Sequence, residues 1–173
     1  TPEKKIDRSN HVIAYNYDIY EGEKAHIQNI VITGNEKTKR HVITRELIVE
    51  EGEVFNAYKI RRSQERLYNT QYFKDVKLDA RPGAVEGLMD LLIDVEEQRT
   101  GTINLGLGYS SANSLNVFEE LAENNFLGKG LRLSERVEYG AYRQLYRLSY
   151  DDNYFLNTKF GFGVDTFYAL DTR

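Results

Sequence analysis

The hydrophobic period of the chain changes in residues 95–111, VEEQRTGTINLGLGYSS, and does not change back. Before this run, helical and strand patterns alternate. After it, residues 102–168 show only strand-like alternation separated by turns. Within the run, small or polar residues alternate with apolar ones, which share one face of a strand: Ile103, Leu105, Leu107 and Tyr109. The sequence therefore predicts a small mixed domain followed by a sheet with one apolar face.

The composition excludes several classes of function. The 173 residues carry a formal net charge of −4, so the chain lacks the basic surface with which proteins bind nucleic acid. Cysteine is absent, which excludes disulfides, thiol catalysis and cysteine-ligated metals. Thirteen Tyr and eight Phe with only two Pro favour strands. Because no run reaches 18 apolar residues, no transmembrane helix is predicted.

No catalytic or metal-binding constellation occurs in the sequence. The histidines are too far apart along the chain to suggest a shared ligand set: His11, His26 and His41. Ser110 and Ser111 lack the strand-to-helix turn of a nucleophile elbow. Gly106 and Gly108 lack the following helix that a phosphate-binding loop needs. We therefore expect a protein that is not an enzyme and holds neither a metal nor a cofactor.

The first two segments differ in the strength of their patterns. Residues 1–10 are polar and predict a tail, whereas residues 11–20 alternate like a strand without an evident pairing partner. A lone strand beside a complete domain suggests the last strand of a preceding unit, and joining the following sheet as an extra strand is the alternative. In residues 25–98 the patterns predict strand, helix, helix, strand and strand, with Thr38 and Asn56 as helix caps. Two helices on one face of a three-stranded sheet would form one core.

The remaining residues predict five strands. They lie near residues 101–110, 114–123, 130–139, 142–151 and 158–168. About ten residues per strand is the length that a tilted strand needs to cross a bilayer. The same alternation also fits a soluble β-sandwich. The pattern alone leaves both interpretations open.

Several short motifs follow one another in a recognisable order. They include IVITGN at 30–35, Lys37-Thr38, Arg45-Glu46-Leu47, Glu51-Gly52, Phe55-Asn56, Tyr72-Phe73 and Pro82-Gly83. Together they resemble a POTRA domain. The following TGTINLGLGYSS, the turn at 125–130 and the run at 152–155 resemble the start of the barrel in the BamA family of bacterial outer-membrane protein assembly factors.

The resemblance implies a fold and a division into domains. Residues 1–24 would be the end of a preceding POTRA domain and a linker. Residues 25–98 would be a complete α+β POTRA domain, β-α-α-β-β. Residues 99–173 would be the first five strands of an antiparallel transmembrane β-barrel, and thus a partial barrel.

The implied function is the assembly and insertion of β-barrel proteins into the outer membrane, with the POTRA domain in the periplasm. The implied partners are unfolded outer-membrane protein clients, accessory periplasmic lipoproteins and outer-membrane lipid. A POTRA-barrel secretion transporter and a soluble periplasmic binding module with a β-sandwich are the alternatives.

The resemblance also implies two places where client strands pair through their backbones. One is the edge strand of the POTRA sheet, within residues 72–80: Lys74, Val76, Lys77, Leu78 and Asp79. The other is the first barrel strand, a candidate gate whose glycines would weaken pairing: Gly101, Thr102, Ile103, Asn104, Leu105, Gly106, Leu107, Gly108 and Tyr109. Alternatively, charges merely protect the first edge, and the glycines only leave room inside a curved barrel.

Four residues raise separate questions. Glu51 matches a family position that faces an accessory lipoprotein, and a solvated acid in a turn is the alternative. Gln71 stands where the family usually has Gly, so a left-handed backbone there would be strained. Glu119 and Glu135 fall on the apolar face of their strands. Either these strands lie partly outside lipid, or the register slips there.

Overall fold

The computed structural model describes residues 3–7, 12–17, 24–110 and 114–172. Its elements follow in the order β1 (Glu3–Asp7), β2 (Val12–Asn16), β3 (His26–Thr33), α1 (Arg40–Thr44), α2 (Ala57–Asn69), β4 (Phe73–Pro82), β5 (Leu88–Glu97), β6 (Gly101–Ser110), β7 (Ser114–Glu123), β8 (Arg132–Gly140), β9 (Arg143–Asp152) and β10 (Phe162–Asp171). Two short 3-10 segments are named turn 1 (Phe126–Gly128) and turn 2 (Phe155–Asn157). His11 and Ser111 lie outside the described residues.

The first two strands form a hairpin of their own. β1 pairs with β2 in antiparallel register from Glu3 opposite Asn16 to Asp7 opposite Val12. The prediction of a polar tail is therefore wrong for β1, and the strand at 11–20 has its partner just upstream. The sequence EKKID carries one apolar residue, so no alternation of apolar and polar residues indicated a strand. The hydrogen bonds that pair β1 with β2 join main-chain groups and do not depend on apolar side chains.

The next five elements have the predicted order and enclose one core. The sheet order is β3-β5-β4, with β3 parallel and β4 antiparallel to β5. Ile60, Ser63 and Leu67 recur at helical spacing on α2 and are buried. They face a sheet whose centre holds Leu91 and Ile93. Among the described residues, neither helix is long and apolar enough to cross a bilayer.

The two predicted helix caps have different outcomes. Asn56 caps α2 as predicted, since its Oδ1 accepts hydrogen bonds from the backbone N–H groups of Tyr58 and Lys59 at 3.0 and 3.1 Å. The prediction that Thr38 caps the first helix is wrong, because α1 starts at Arg40 without a side-chain cap. The Thr38 hydroxyl instead accepts a hydrogen bond from a later part of the chain, described below.

The predicted strain at Gln71 is confirmed. Its φ is 60°, so a non-glycine residue occupies the left-handed region between α2 and β4. The Gln98 side chain donates a hydrogen bond of 2.6 Å to the Gln71 carbonyl oxygen. This contact helps to offset the local cost, because it ties the strained residue to the segment that leaves β5.

The last five strands form one antiparallel sheet in the order β10-β9-β8-β7-β6. Each strand pairs with its sequence neighbour along eight to ten residues. Consecutive hairpins in one sheet are the arrangement of an up-and-down barrel wall. The β-sandwich alternative is therefore wrong, since it requires two sheets packed face to face.

The register of this sheet contains no slip at the two unexpected carboxylates. Glu119 lies opposite Leu105 on β6 and Val137 on β8, and Glu135 lies opposite Leu121. Both carboxylates therefore share the face that carries the apolar residues of β6 and β7. Of the two explanations offered by the sequence, the slipped register is wrong.

Candidate functional site

The strands that are paired on one side only include β4 and β6. In the described part of the chain, β4 ends the three-stranded sheet and β6 ends the five-stranded sheet. The outer side of an end strand carries backbone N–H and C=O groups that can pair with another chain. These two edges contain both predicted groups of client-binding residues.

Backbone pairing determines which residues of β4 point outward. The Gly83 N–H donates to the Leu88 carbonyl at 2.8 Å, and the register alternates from this pair. Lys77 and Asp79 therefore direct their backbone groups toward β5, whereas Val76, Leu78 and Ala80 direct theirs outward.

The chain itself occupies the outward groups of Val76. Its N–H donates to the Asp75 carboxylate at 2.9 Å, and its carbonyl accepts from the Gln64 side chain at 2.7 Å. Leu78 and Ala80 consequently provide the outward backbone groups in the middle of β4. Ala80 was not among the predicted site residues, although its alternation with Leu78 was readable once the edge was identified.

The two predicted lysines of β4 are paired within the POTRA-like half. Lys74 donates to Glu96 at 2.8 Å, and Lys77 approaches Asp75 at 3.2 Å. These hydrogen bonds are the main reason why the pKa values of both lysines are raised above their ordinary value. The charges therefore discourage apolar contacts at the edge without leaving an unbalanced positive patch.

The opposite edge of the same sheet, β3, is largely covered. The Gly52 N–H donates to the Ile27 carbonyl at 2.7 Å, and the Ile27 N–H donates to the Glu53 carbonyl at 2.9 Å. The loop between the helices thus replaces a fourth strand beside the start of β3. β4 is the more accessible of the two edges.

Glu51 completes this covering. Its Oε1 accepts a hydrogen bond of 3.0 Å from the Ile30 N–H, and the Arg40 guanidinium donates to the Ile30 carbonyl at 2.8 Å. The residue predicted to contact a lipoprotein therefore has an intramolecular role at the β3 edge. Its side chain is nevertheless on the surface.

The outward groups of β6 follow from its pairing with β7. The Asn124 N–H donates to the Thr100 carbonyl at 3.2 Å, so alternate residues from Thr102 onward bond to β7. The residues between them direct their N–H and C=O groups to the open side. Their side chains are also 70 to 80% exposed on the apolar face: Ile103, Leu105, Leu107 and Tyr109.

Gly106 and Gly108 of β6 provide space on the opposite face. A Cβ atom on Gly106 would overlap the ring of Phe118, and one on Gly108 would overlap the Asn116 amide. The side chains of Phe118 and Asn116 thus occupy the space that these Cβ atoms would need. This packing accounts for both glycines without requiring a weakened strand.

The two open edges begin at the same joint. Residues 98–100 connect β5 to β6, and the Gln98 N–H donates to the Tyr72 carbonyl just before β4 at 3.0 Å. On the other side, the Asn124 side chain donates to the Thr100 carbonyl at 3.2 Å. β4 and β6 therefore both start beside one short linker that is hydrogen-bonded on both sides.

Turn 1 docks against the POTRA-like half at this joint. The Lys39 N–H donates to the Gly128 carbonyl at 2.9 Å, and the Asn125 side chain donates to the Thr38 hydroxyl at 2.9 Å. Asn125 also accepts from the Gly130 N–H at 2.8 Å. Neither the docking nor the role of Thr38 was predicted from the sequence.

Glu97 fixes the segment that receives turn 1. Its carboxylate accepts hydrogen bonds from the Lys37 and Thr38 N–H groups, with shortest distances of 2.9 and 2.6 Å. Burial raises the pKa of Glu97, but these hydrogen bonds outweigh burial and hold the pKa below its ordinary value of 4.5.

We expect the joint to loosen in acid. Because the folded-state pKa of Glu97 is lowered, its stabilising effect is complete above the ordinary carboxyl value and is lost as the pH falls through the folded value. Hydrogen exchange of the Thr38 amide, corrected for intrinsic rates, should lose protection as the pH falls through the lowered pKa of Glu97. In Glu97→Gln this protection should already be reduced at pH 7, and equal protection in both proteins would contradict the assignment.

The described residues hold no group of three or more His, Asp or Glu side chains placed to bind a metal ion. His26 starts β3 and His41 lies in α1. The site thus consists of backbone edges and the joint between them.

Comparisons with known proteins agree with this architecture. A family model described as "POTRA: Surface antigen variable number repeat" matches residues 25–98. The chain is 33% identical over 161 residues to the outer membrane protein assembly factor BamA of Nitratidesulfovibrio vulgaris, covering 93% of the chain and 20% of the relative. It is 31% identical over 154 residues to BamA of Neisseria meningitidis serogroup B, covering 88% and 19%.

The fold also matches a solved structure. The crystal structure of BamA from Haemophilus ducreyi lacking POTRA domains 1-3 superposes with a TM-score of 0.87, at 24% identity, over 98% of this chain and 32% of that one. The chain spans about a fifth of the length of the curated relatives described above.

Proposed function

The chain belongs to the BamA family of outer-membrane protein assembly factors, and from this premise we propose that it pairs client strands at β4 and then at β6. It is located at the bacterial outer membrane, with the POTRA domain in the periplasm. The observation that carries the proposal is that the edge strands β4 and β6 both start beside the linker of residues 98–100.

The proposed domain roles follow the sequence. Residues 1–24 end a preceding POTRA domain, residues 25–98 receive clients in the periplasm, and residues 99–173 supply the first five strands of the barrel. The apolar face of those strands contacts outer-membrane lipid.

Pairing through the backbone suits a protein that handles many clients. Every non-proline residue offers the same N–H and C=O groups, so an unfolded barrel protein can bind at Leu78 and Ala80 whatever its side chains. Side chains near the edge contribute little selectivity, because the lysines of β4 are paired with acids of the same domain.

The second edge then accepts the strand in a membrane setting. Backbone groups of Ile103, Leu105 and Leu107 face outward, so a client strand can satisfy its hydrogen bonds before it meets hydrocarbon. No catalytic residue, metal or cofactor takes part in this mechanism. Folding of the client supplies the free energy.

Accessory lipoproteins are proposed partners of the surface near Glu51. That carboxylate already accepts the Ile30 N–H, so a partner's Arg would bind the remaining acceptor capacity of the carboxylate. The secretion-transporter alternative has weaker support, because the curated relatives are named as assembly factors.

Replacing Ala80 by Pro should weaken client binding at the POTRA edge. The substitution removes one outward N–H while leaving the bonds between β4 and β5 in place. Loss of one hydrogen bond of about 1 kcal/mol predicts about fivefold weaker binding. The measurement is the binding of a urea-unfolded outer-membrane barrel protein to the intact assembly factor in nanodiscs.

Two controls define the result. Ala80→Val keeps the N–H and should bind clients normally, whereas Asp79→Pro removes an inward N–H and should loosen the sheet itself. Equal client binding by Ala80→Pro and Ala80→Val would exclude the β4 edge as the binding site.

A further inference from the structure

Arg45 follows α1 directly and contacts both turns of the five-stranded sheet. Its Nη2 donates to the Gly130 carbonyl, which follows turn 1, at 3.3 Å. Its guanidinium carbon lies 4.1 Å from the centre of the Tyr154 ring, which precedes turn 2. One POTRA side chain thus contacts residues beside two hairpin connections, turn 1 and turn 2, which start 29 residues apart in the sequence.

The surroundings hold this guanidinium in place. The Arg45 side chain is 14% exposed, and its Nε lies 3.9 Å from Glu46 Oε1. Glu46 Oε2 in turn accepts from the Arg66 guanidinium at 3.0 Å, which ties the group to α2. Burial is the main cause of the raised pKa of Tyr154, and the Glu46 carboxylate raises it further. The cluster therefore joins both helices to turn 2.

Gly130 is shaped to receive Arg45. Its φ is 67°, and a Cβ atom there would overlap the Arg45 guanidinium and approach the Val42 side chain. Its carbonyl also accepts from the Tyr72 hydroxyl at 3.3 Å. Two POTRA side chains thus converge on one carbonyl of the barrel half.

We propose that Arg45 is a positioning residue that fixes the angle between the POTRA sheet and the five-stranded sheet. The hydrogen bonds of Lys39, Thr38 and Tyr72 attach the POTRA half to the five-stranded sheet beside turn 1. Stacking of Arg45 on Tyr154 adds an attachment beside turn 2, and attachment at two separate turns restricts rotation between the halves. The inference rests on the proposed function, because the angle sets how the β4 edge is presented to β6.

Guanidinium geometry is essential to this role. A planar guanidinium can stack on an aromatic ring and donate a hydrogen bond at its edge at the same time, whereas a Lys ammonium is a compact charge. Arg45→Lys should therefore behave more like Arg45→Ala than like the parent. Tyr154→Phe keeps the ring and should retain the angle, and Tyr154→Leu should not.

The angle can be measured by distances between nitroxide labels. Because the chain contains no Cys, Tyr58→Cys and Tyr142→Cys place one exposed label in each half. In the intact protein in nanodiscs, Arg45→Ala should shift the mean distance by more than about 2 Å or broaden its distribution correspondingly. Arg62→Ala is the control, because Arg62 pairs with Glu65 on the surface of α2 at 2.7 Å.

Client insertion by the same proteins separates the inference from the proposed function. A changed distance distribution with slower insertion supports the positioning role. An Arg45→Ala distribution that overlays the parent's overturns it. A changed distribution with unaltered insertion supports the control of the angle by Arg45 and overturns the link between that angle and client transfer from β4 to β6. Failure of the parent itself to insert clients would instead overturn the proposed function, while the distances still report on the angle.

Discussion

Leu105→Pro in β6 should slow client insertion about fivefold or more, because a client carbonyl would lose its donor at a cost of about 1–3 kcal/mol. The Leu105 N–H points to the open side of β6, so its removal leaves the bonds to β7 intact. The preceding Asn104 is already extended, as a residue before Pro prefers. The measurement is the rate at which the intact protein inserts an unfolded barrel client into nanodiscs or vesicles.

The side chain and the strand pairing need separate controls. Leu105→Ala removes the same exposed apolar side chain but keeps the N–H, and should insert clients within about twofold of the parent rate. Asn104→Pro removes an N–H directed at β7 and should disturb the hairpin itself. If Leu105→Pro and Leu105→Ala insert clients equally well, the open side of β6 is not where client strands pair.

The order of elements was predictable because periodicity and local capping determine it. Asn56 caps α2, and the side chains at Ile60, Ser63 and Leu67 are buried as their spacing indicates. The hairpin strand β1 was missed, since its pairing relies on the main chain and its sequence does not alternate. Thr38 was misassigned for a different reason: its hydroxyl bonds to Asn125, which is 87 residues away.

The candidate site also has a part that local patterns predict and a part that depends on long-range contacts. Alternation along β4 and β6 was sufficient to identify the strands, but the outward direction of Leu78 or Leu105 depends on which neighbour bonds to each strand. That Val76 is already occupied by Gln64 is a long-range contact with no local signature. The sequence does show that the two turns are alike, because Asn-Phe-Leu-Gly before Lys129 resembles Tyr-Phe-Leu-Asn before Thr158. It does not show that turn 1 docks at the joint.

A comparison of turn 1 with turn 2 explains why residue 128 is a glycine. Turn 1 and turn 2 share the same backbone shape, with Leu127 and Leu156 both at a φ of 55°. Gly128 has a φ of 70°, and Asn157 occupies the equivalent place at 60°. The turn itself therefore accepts Asn. Gly128 differs because a Cβ atom there would overlap the backbone carbonyl of Lys37.

Gly128→Asn should consequently detach turn 1 from the POTRA domain without unfolding either half. The backbone of residue 37 cannot move aside as a flexible side chain would, so the bonds to Lys39 and Thr38 are lost together. Two hydrogen bonds of about 1 kcal/mol each correspond to about thirtyfold less protection of the Lys39 amide from hydrogen exchange. This exchange is measured by mass spectrometry on the intact protein.

Gly52→Asn provides the matched control for backbone strain. Gly52 has a φ of 88°, and no atom lies within 4 Å of its would-be Cβ. This variant should bear the cost of a left-handed non-glycine residue, about 1 kcal/mol, without exposing the Lys39 amide. If both variants lose the same protection, backbone strain explains the effect and the close approach to Lys37 does not. Loss in Gly128→Asn alone locates the attachment between the two halves at turn 1.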